Sequence, residues 1–161
     1  MSSRSATVEL PEDTQILITR EFDGPKELVY KAYTTPELVE RWWTAGRGDM
    51  TVCEIDLRVG GQWRYAMNAG DFGEVAFHGE YREIVPNERL VSTEVYEGMP
   101  DAEALDTLTL TEQDGRTVLT LLVEHESKED RDGHVQSGME DGLQDAFDRL
   151  EQVVAELAQR V

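Results

Sequence analysis

The chain has 161 residues, 39% of them hydrophobic, and a formal net charge of −19. That length suits one domain with one core, and that hydrophobic share excludes disorder. With 34 acidic residues against 15 basic ones, the surface field opposes nucleic acid and anionic membranes, so neither a nucleic-acid partner nor membrane insertion is expected.

Residues 1–13 show no sustained period and contain Pro11, and are expected to form a flexible N-terminal arm ahead of a single domain over 14–161. The run T-Q-I-L-I-T-R-E-F then alternates and reads as a strand. Asp23-Gly24-Pro25 stops it and starts a helix whose buried stripe is Leu28, Val29, Ala32 and Tyr33. Thr34-Thr35-Pro36-Glu37 is a second start signal, with a Thr cap, and Leu38, Val39, Trp42 and Trp43 follow at helical spacing.

From Met50 the pattern changes to strands separated by turns. M-T-V-C-E-I-D-L-R ends at Gly60-Gly61, and G-Q-W-R-Y-A-M-N alternates Trp63, Tyr65 and Met67 against polar neighbours. V-A-F-H-G-E-Y-R-E-I-V, R-L-V-S-T-E-V-Y-E and A-L-D-T-L-T-L-T-E follow, and Asp114-Gly115 is a hairpin signal leading to R-T-V-L-T-L-L-V-E-H. Short connections imply an antiparallel sheet. Ser127 to Gly133 reads as a short turn or helix.

The last stretch, His134 to Val161, organises the rest. Val135, Met139, Leu143, Phe147, Leu150, Val154, Leu157 and Val161 recur every three or four residues, which places them on one stripe of a single long helix. Its opposite face, with Glu140, Asp141, Asp145, Asp148, Glu151 and Glu156, is expected in water. At about 1.5–3 kcal/mol per buried side chain, such a stripe is the natural cover for a curved sheet. Gly138 and Gly142 strip one shoulder of that helix, either for close packing or to leave room for a ligand.

Motifs for chemistry are sparse. The D-R-D-G near residue 130 fails as a calcium loop, because Lys128 and Met139 would hold its first and twelfth positions. His78, His125 and His134 show no ligand spacing, no phosphate-binding glycine loop occurs, and no G-x-S-x-G elbow is present, so no metal or other cofactor is expected. Cys53, the only cysteine, excludes an internal disulfide and reads as a small core residue. What remains is a set of aromatics whose polar tips need partners when buried.

Four stretches carry a resemblance: R-E-F-D-G-P-K-E-L-V-Y-K-A-Y-T-T-P-E-L-V-E-R-W-W, D-L-R-V-G-G-Q-W-R-Y, H-G-E-Y-R-E-I-V-P-N-E-R-L-V and S-G-M-E-D-G-L-Q-D-A-F-D-R-L. In this order they resemble the START-like (SRPBCC) superfamily, in the branch similar to the activator of heat-shock-protein-90 ATPase. The resemblance implies an α+β helix-grip fold of the Bet v 1-like kind. A curved antiparallel sheet is wrapped around a long C-terminal helix with a cavity between them, and two short helices follow the first strand.

It further implies a binder of a small hydrophobic or aromatic molecule, with no catalysis required. The alternatives are a cyclase- or hydrolase-like enzyme using a pocket acid or base such as His78, and a protein-binding module with a chaperone partner. The expected ligand-binding residues are Trp43, Trp63, Tyr65, Met67, His78, Tyr81, Met139 and Leu143. A cytoplasmic monomer or homodimer is expected, since no run of 18 apolar residues or basic-then-apolar start occurs.

Overall fold

From Gln15 to Asp23 every second side chain is buried, Ile16, Ile18, Arg20 and Phe22 in turn, as a strand with one face on a core requires. The same alternation builds the whole sheet of the computed structural model, which describes residues 6–159, the side chain of Phe72 excepted. The strands are β1 (Thr7–Glu9), β2 (Gln15–Asp23), β3 (Asp49–Ile55), β4 (Gln62–Asn68), β5 (Glu74–Val85), β6 (Arg89–Tyr96), β7 (Glu103–Gln113) and β8 (Arg116–Glu124). They form one antiparallel sheet in the order β1-β2-β8-β7-β6-β5-β4-β3.

After β2 the chain leaves the sheet and crosses to the opposite edge through α1 (Lys26–Thr34) and α2 (Pro36–Val39). From β3 it then meanders back until β8 pairs with β2. Two helices close the chain, α3 (Lys128–Gln136) and α4 (Met139–Gln159). The result is an α+β helix-grip architecture with α4 lying across the concave face.

Four expectations change. Residues 6–13 are not simply a loose arm, because Thr7–Glu9 pairs with β2 and Ala6 is buried. The amide of Ala6 donates to Gln144 Oε1 at 2.9 Å, and Gln144 Nε2 donates to the Ala6 carbonyl at 2.8 Å, so this segment latches onto α4. Residues 1–5 lie outside the described residues.

The second short helix ends at Val39, and Trp42 and Trp43 sit in a chain of turns beyond it. The Thr35 side chain makes no capping bond. Ala45 and Gly46 then take φ of 55° and 76°, a left-handed stretch that ends any helical continuation.

The final helix is not continuous from His134. Gly138 has φ 85°, the left-handed position that commonly ends a helix, and it separates Val135 in α3 from the α4 stripe. Phe147, Leu150, Val154 and Leu157 are buried as the period requires, with Ala146 and Val153 beside them, while Met139 and Leu143 are half-buried. Val161 lies outside the described residues.

Last, two residues of the supposed water face, Asp148 and Glu151, do structural work. Arg20 is 1% exposed on the concave face of β2, and its guanidinium donates to Asp148 Oδ1 at 3.0 Å and to Glu151 Oε1 at 2.8 Å. The same group stands 5.1 Å from the Phe22 ring centroid, a cation–π distance. Phe22 packs edge-on to Phe147 at 5.9 Å, Phe147 lies 6.5 Å from Trp42, and Trp42 lies 5.0 Å from Tyr33. The Trp42 indole donates to the Ala32 carbonyl at 3.0 Å, so its polar tip is satisfied inside the core.

This clamp gives an asymmetric expectation. Replacing both Asp148 and Glu151 by Ala strands a buried guanidinium and should cost about 3 kcal/mol. Arg20→Met should cost less, because the freed carboxylates, 58% and 24% exposed, return to water. Urea denaturation of the two variants measures the difference.

Candidate functional site

On the concave face of β4 and β5, strand alternation brings aromatic rings into one connected set. Trp63 and Tyr65 have ring centroids 4.8 Å apart, Trp43 meets Tyr65 at 5.4 Å and Phe77 at 5.8 Å, and Phe77 meets Tyr96 at 5.2 Å. Trp43 thus faces this set while its neighbour Trp42 faces the core. Trp63 is 8% exposed, and its Nε1 has no hydrogen-bond partner.

That indole N–H lies over Gly79. A Cβ on Gly79 would stand 2.5 Å from Trp63 Nε1 and would collide with the Thr93 carbonyl oxygen, so only glycine fits there. The register running from His78↔Val95 to Tyr81↔Ser92 sets Gly79 beside Glu94.

Glu94 belongs to a polar cluster that no sequence motif marks. Across β6 and β7 the register pairs Glu94 with Ala104 and Ser92 with Asp106, which puts both acids on the concave side. Burial first, and then the charge of Glu94 and a hydrogen bond with it, hold the Asp106 carboxyl well above the ordinary aspartate range. A hydrogen bond between two carboxyl groups requires one of them to keep its proton. Asp106 Oδ1 is wholly buried and accepts from no N–H or O–H among the described residues.

Tyr33, on α1, reaches the same cluster. Burial pushes its hydroxyl up, and Asp106, Glu94 and Tyr81 push it further. Tyr65 and Tyr81 are raised for the same leading reason, burial. A sequence signal for these acids did exist. In A-L-D-T-L-T-L, Asp106 falls in the register of Ala104, Leu108 and Leu110, all three buried, so it is an acid where the pattern asks for an apolar residue.

The residues expected from sequence are only partly gathered. Trp43, Trp63, Tyr65, Met67 and Tyr81 lie along the concave side of β4 and β5 or over it, and Met139 and Leu143 pack at the N-terminal end of α4. His78 does not join them. It alternates onto the convex face, its side chain is 47% exposed, and its Nδ1 lies 2.9 Å from Glu97 Oε2. Arg64 pairs with the same carboxylate at 2.8 Å. Arg64 first, then His78, lower the Glu97 carboxyl to about 2, so His78 is part of a surface ion cluster.

His125 and His134, unrelated by spacing, meet through the fold with Nε2 and Nδ1 3.0 Å apart. Burial, then His134, lowers the pKa of His125. No third metal-ligating group joins them, and no grouping of three such residues occurs among the described residues. Cys53 is half-buried, its thiol pushed up to about 12 by burial and then by Glu40 and Glu37, which makes it a poor nucleophile. Two open surface hollows, of about 420 and 270 Å³, lie elsewhere, around Val85 to Arg89 with Thr109 to Glu112, and around Met99 to Ala102. Neither contains a residue of the aromatic set, and both are open to solvent.

Two expectations follow from this geometry. Gly79→Ala should destabilise the protein by about 1–3 kcal/mol through overpacking, seen as a lower denaturation midpoint. Asp106→Asn should act in the opposite sense. A folded carboxyl with a raised pKa keeps a proton that the unfolded chain releases, so the penalty begins near the ordinary value of 3.8 and grows as pH rises. The variant should therefore be more stable than the parent at pH 7 and nearly equal to it at pH 3, by chemical denaturation at both values.

Comparison with known structures agrees with this architecture. A Rhodobacter sphaeroides protein of known crystal structure is 26% identical, with a TM-score of 0.88, covering 94% of this chain and 99% of its own. A protein from Arthrobacter aurescens solved by NMR is 24% identical with a TM-score of 0.83, covering 93% and 91% of the two chains. The Mycobacterium smegmatis protein Ms6760 is 24% identical with a TM-score of 0.82, covering 92% and 96%; these last two similarities speak to the fold alone. No match is found among curated proteins. The model of the family described as "Activator of Hsp90 ATPase homolog 1-like protein" matches residues 23–155, and the chain therefore belongs to that family, within the START-like superfamily.

Proposed function

We propose that the chain binds a small hydrophobic or aromatic molecule between the concave face of the sheet and the N-terminal half of α4. The observation that carries this reading is the connected aromatic set of Trp43, Trp63 and Tyr65 on the concave side, together with two buried polar atoms that have no partner, Trp63 Nε1 and Asp106 Oδ1. Gly142 supports the same reading, since a Cβ there would meet nothing within 4 Å, so this glycine does not serve close packing. Aromatic walls with a few convergent polar groups are the usual make-up of a small-molecule site.

Binding requires no reaction, and the second reading is an acid–base reaction on the bound molecule. It rests on the Asp106 carboxyl, held above its ordinary range by burial and by Glu94 beside it, and not on His78. The family's description names chaperone ATPase activation; the aromatic set and the open space at Gly142 support the small-molecule reading. No helix among the described residues is long and apolar enough to cross a membrane.

The test uses the uncharged dye Nile red. It should fluoresce on binding the native protein, quench Trp emission and raise Tm by mass action. Gly142→Leu should weaken that binding by about tenfold or more, ~1.4 kcal/mol, while the fold is kept. Full binding by a folded Gly142→Leu variant would place the site away from α4.

A further inference from the structure

The concave face holds polar groups that an apolar ligand would leave unanswered. Trp63 is 8% exposed, and its Nε1 has a proton to donate and no acceptor. Nε1 lies close to Gly79, which the register sets beside Glu94 on the neighbouring strand. Asp106 Oδ1, wholly buried, receives no N–H or O–H. Burial and Glu94 are the causes acting on Asp106, and no cation offsets them. The contrast with the convex face is sharp, for there Glu97 is met by Arg64 and His78, and Glu83 by Arg89 at 2.9 Å.

A buried Asp106 carboxyl that no cation offsets, with Glu94 beside it and an indole N–H without an acceptor, is a complementary surface for one kind of molecule. We propose that the recess binds an amine, a protonated amino group on an apolar or aromatic body, seated between the Glu94 and Asp106 carboxyls and the Trp63 and Tyr65 rings. An oxygen next to the amine would accept from Trp63 Nε1. This inference rests on the recess-binding reading above and narrows its ligand class.

An ammonium group brings one positive charge and up to three N–H donors. Those donors reach Glu94 and Asp106 as charge-assisted hydrogen bonds, stronger than neutral ones. The aromatic faces add cation–π attraction, which grows when the cation is desolvated. A carboxylate ligand would meet Glu94 as a like charge, and a neutral alcohol would leave the charge of the pair uncompensated.

Three probes of one skeleton separate these cases: 2-amino-1-(2-naphthyl)ethanol, 1-(2-naphthyl)ethane-1,2-diol and 2-naphthylglycolate. They share the ring and the adjacent hydroxyl and differ in a cationic, neutral or anionic end. Calorimetry at pH 7 on the full chain should show the amine binding about tenfold or more tighter than the diol, with the glycolate weakest. Glu94→Gln and Asp106→Asn, each checked for a native melt, should erase the preference for the amine while leaving diol binding in place.

If the diol or the glycolate binds as well as the amine to the wild-type chain, the amine inference is overturned and the recess reading stands. The inference also fails if the amine preference survives both substitutions. If none of the three binds and Nile red does not bind either, both readings fall together.

Discussion

The buried guanidinium of Arg20 is the constraint on which the arrangement of layers depends. It occupies an inward position of β2 where Ile16, Ile18 and Phe22 set an apolar pattern, and a charge in that environment is tolerated only with counter-charges at hydrogen-bond distance. Asp148 and Glu151 supply them from adjacent turns of α4. An apolar stripe alone lets a helix slide or rotate on a sheet at small cost. A charge that must meet two particular carboxylates does not, so the pair sets the rotation and height of α4. Everything under the N-terminal half of that helix then inherits its position.

The pair also explains what was and was not legible in the sequence. Period-2 and period-3.6 patterns depend on backbone geometry and solvent, and they gave strands β2 to β8, the Asp114-Gly115 hairpin and the buried face of α4 from Phe147 to Leu157, but not the three-residue β1. Asp148 and Glu151 fit the same period as surface residues, because their partner is 128 and 131 residues away in the chain. Gly138 was visible as a glycine but not as a break, since only its φ distinguishes a helix end from a bare helical shoulder. Trp42 and Trp43 show the reverse: adjacent in sequence, they serve separate sides because the turn after Val39 rotates one toward Phe147 and the other toward Tyr65.

The candidate site was half legible for the same reason. Trp63 and Tyr65 share a face by alternation within one strand, which sequence can state. Whether His78 joins them depends on the register between β4 and β5, and the observed pairing of Arg64 with His78 sends it to the convex side. Asp106 breaks the apolar alternation of its own strand, but only the register between β6 and β7 brings Glu94 to the same side of the neighbouring strand. The histidines 125 and 134 are another case, brought together by the descent of β8 into α3. A buried acid such as Asp106 opposes folding, and its place among Ala104, Leu108 and Leu110 is what makes it a candidate site residue.

An open eight-stranded sheet has two margins, and this fold treats them differently. One margin is β1, whose preceding residue is tied to α4 through Gln144. The other is β3, where the register slips between Met50 and Val52 and where Asp49, Thr51 and Glu54 are exposed. A bulge twists an outer strand away from any incoming strand, and carboxylates along it repel a second copy of the same margin. With a formal net charge of −19 behind that local repulsion, strand-to-strand stacking of copies is opposed at both short and long range. The acidity of this protein therefore acts as a guard on its own unfinished edge, setting the same sign of charge on every copy that could approach it.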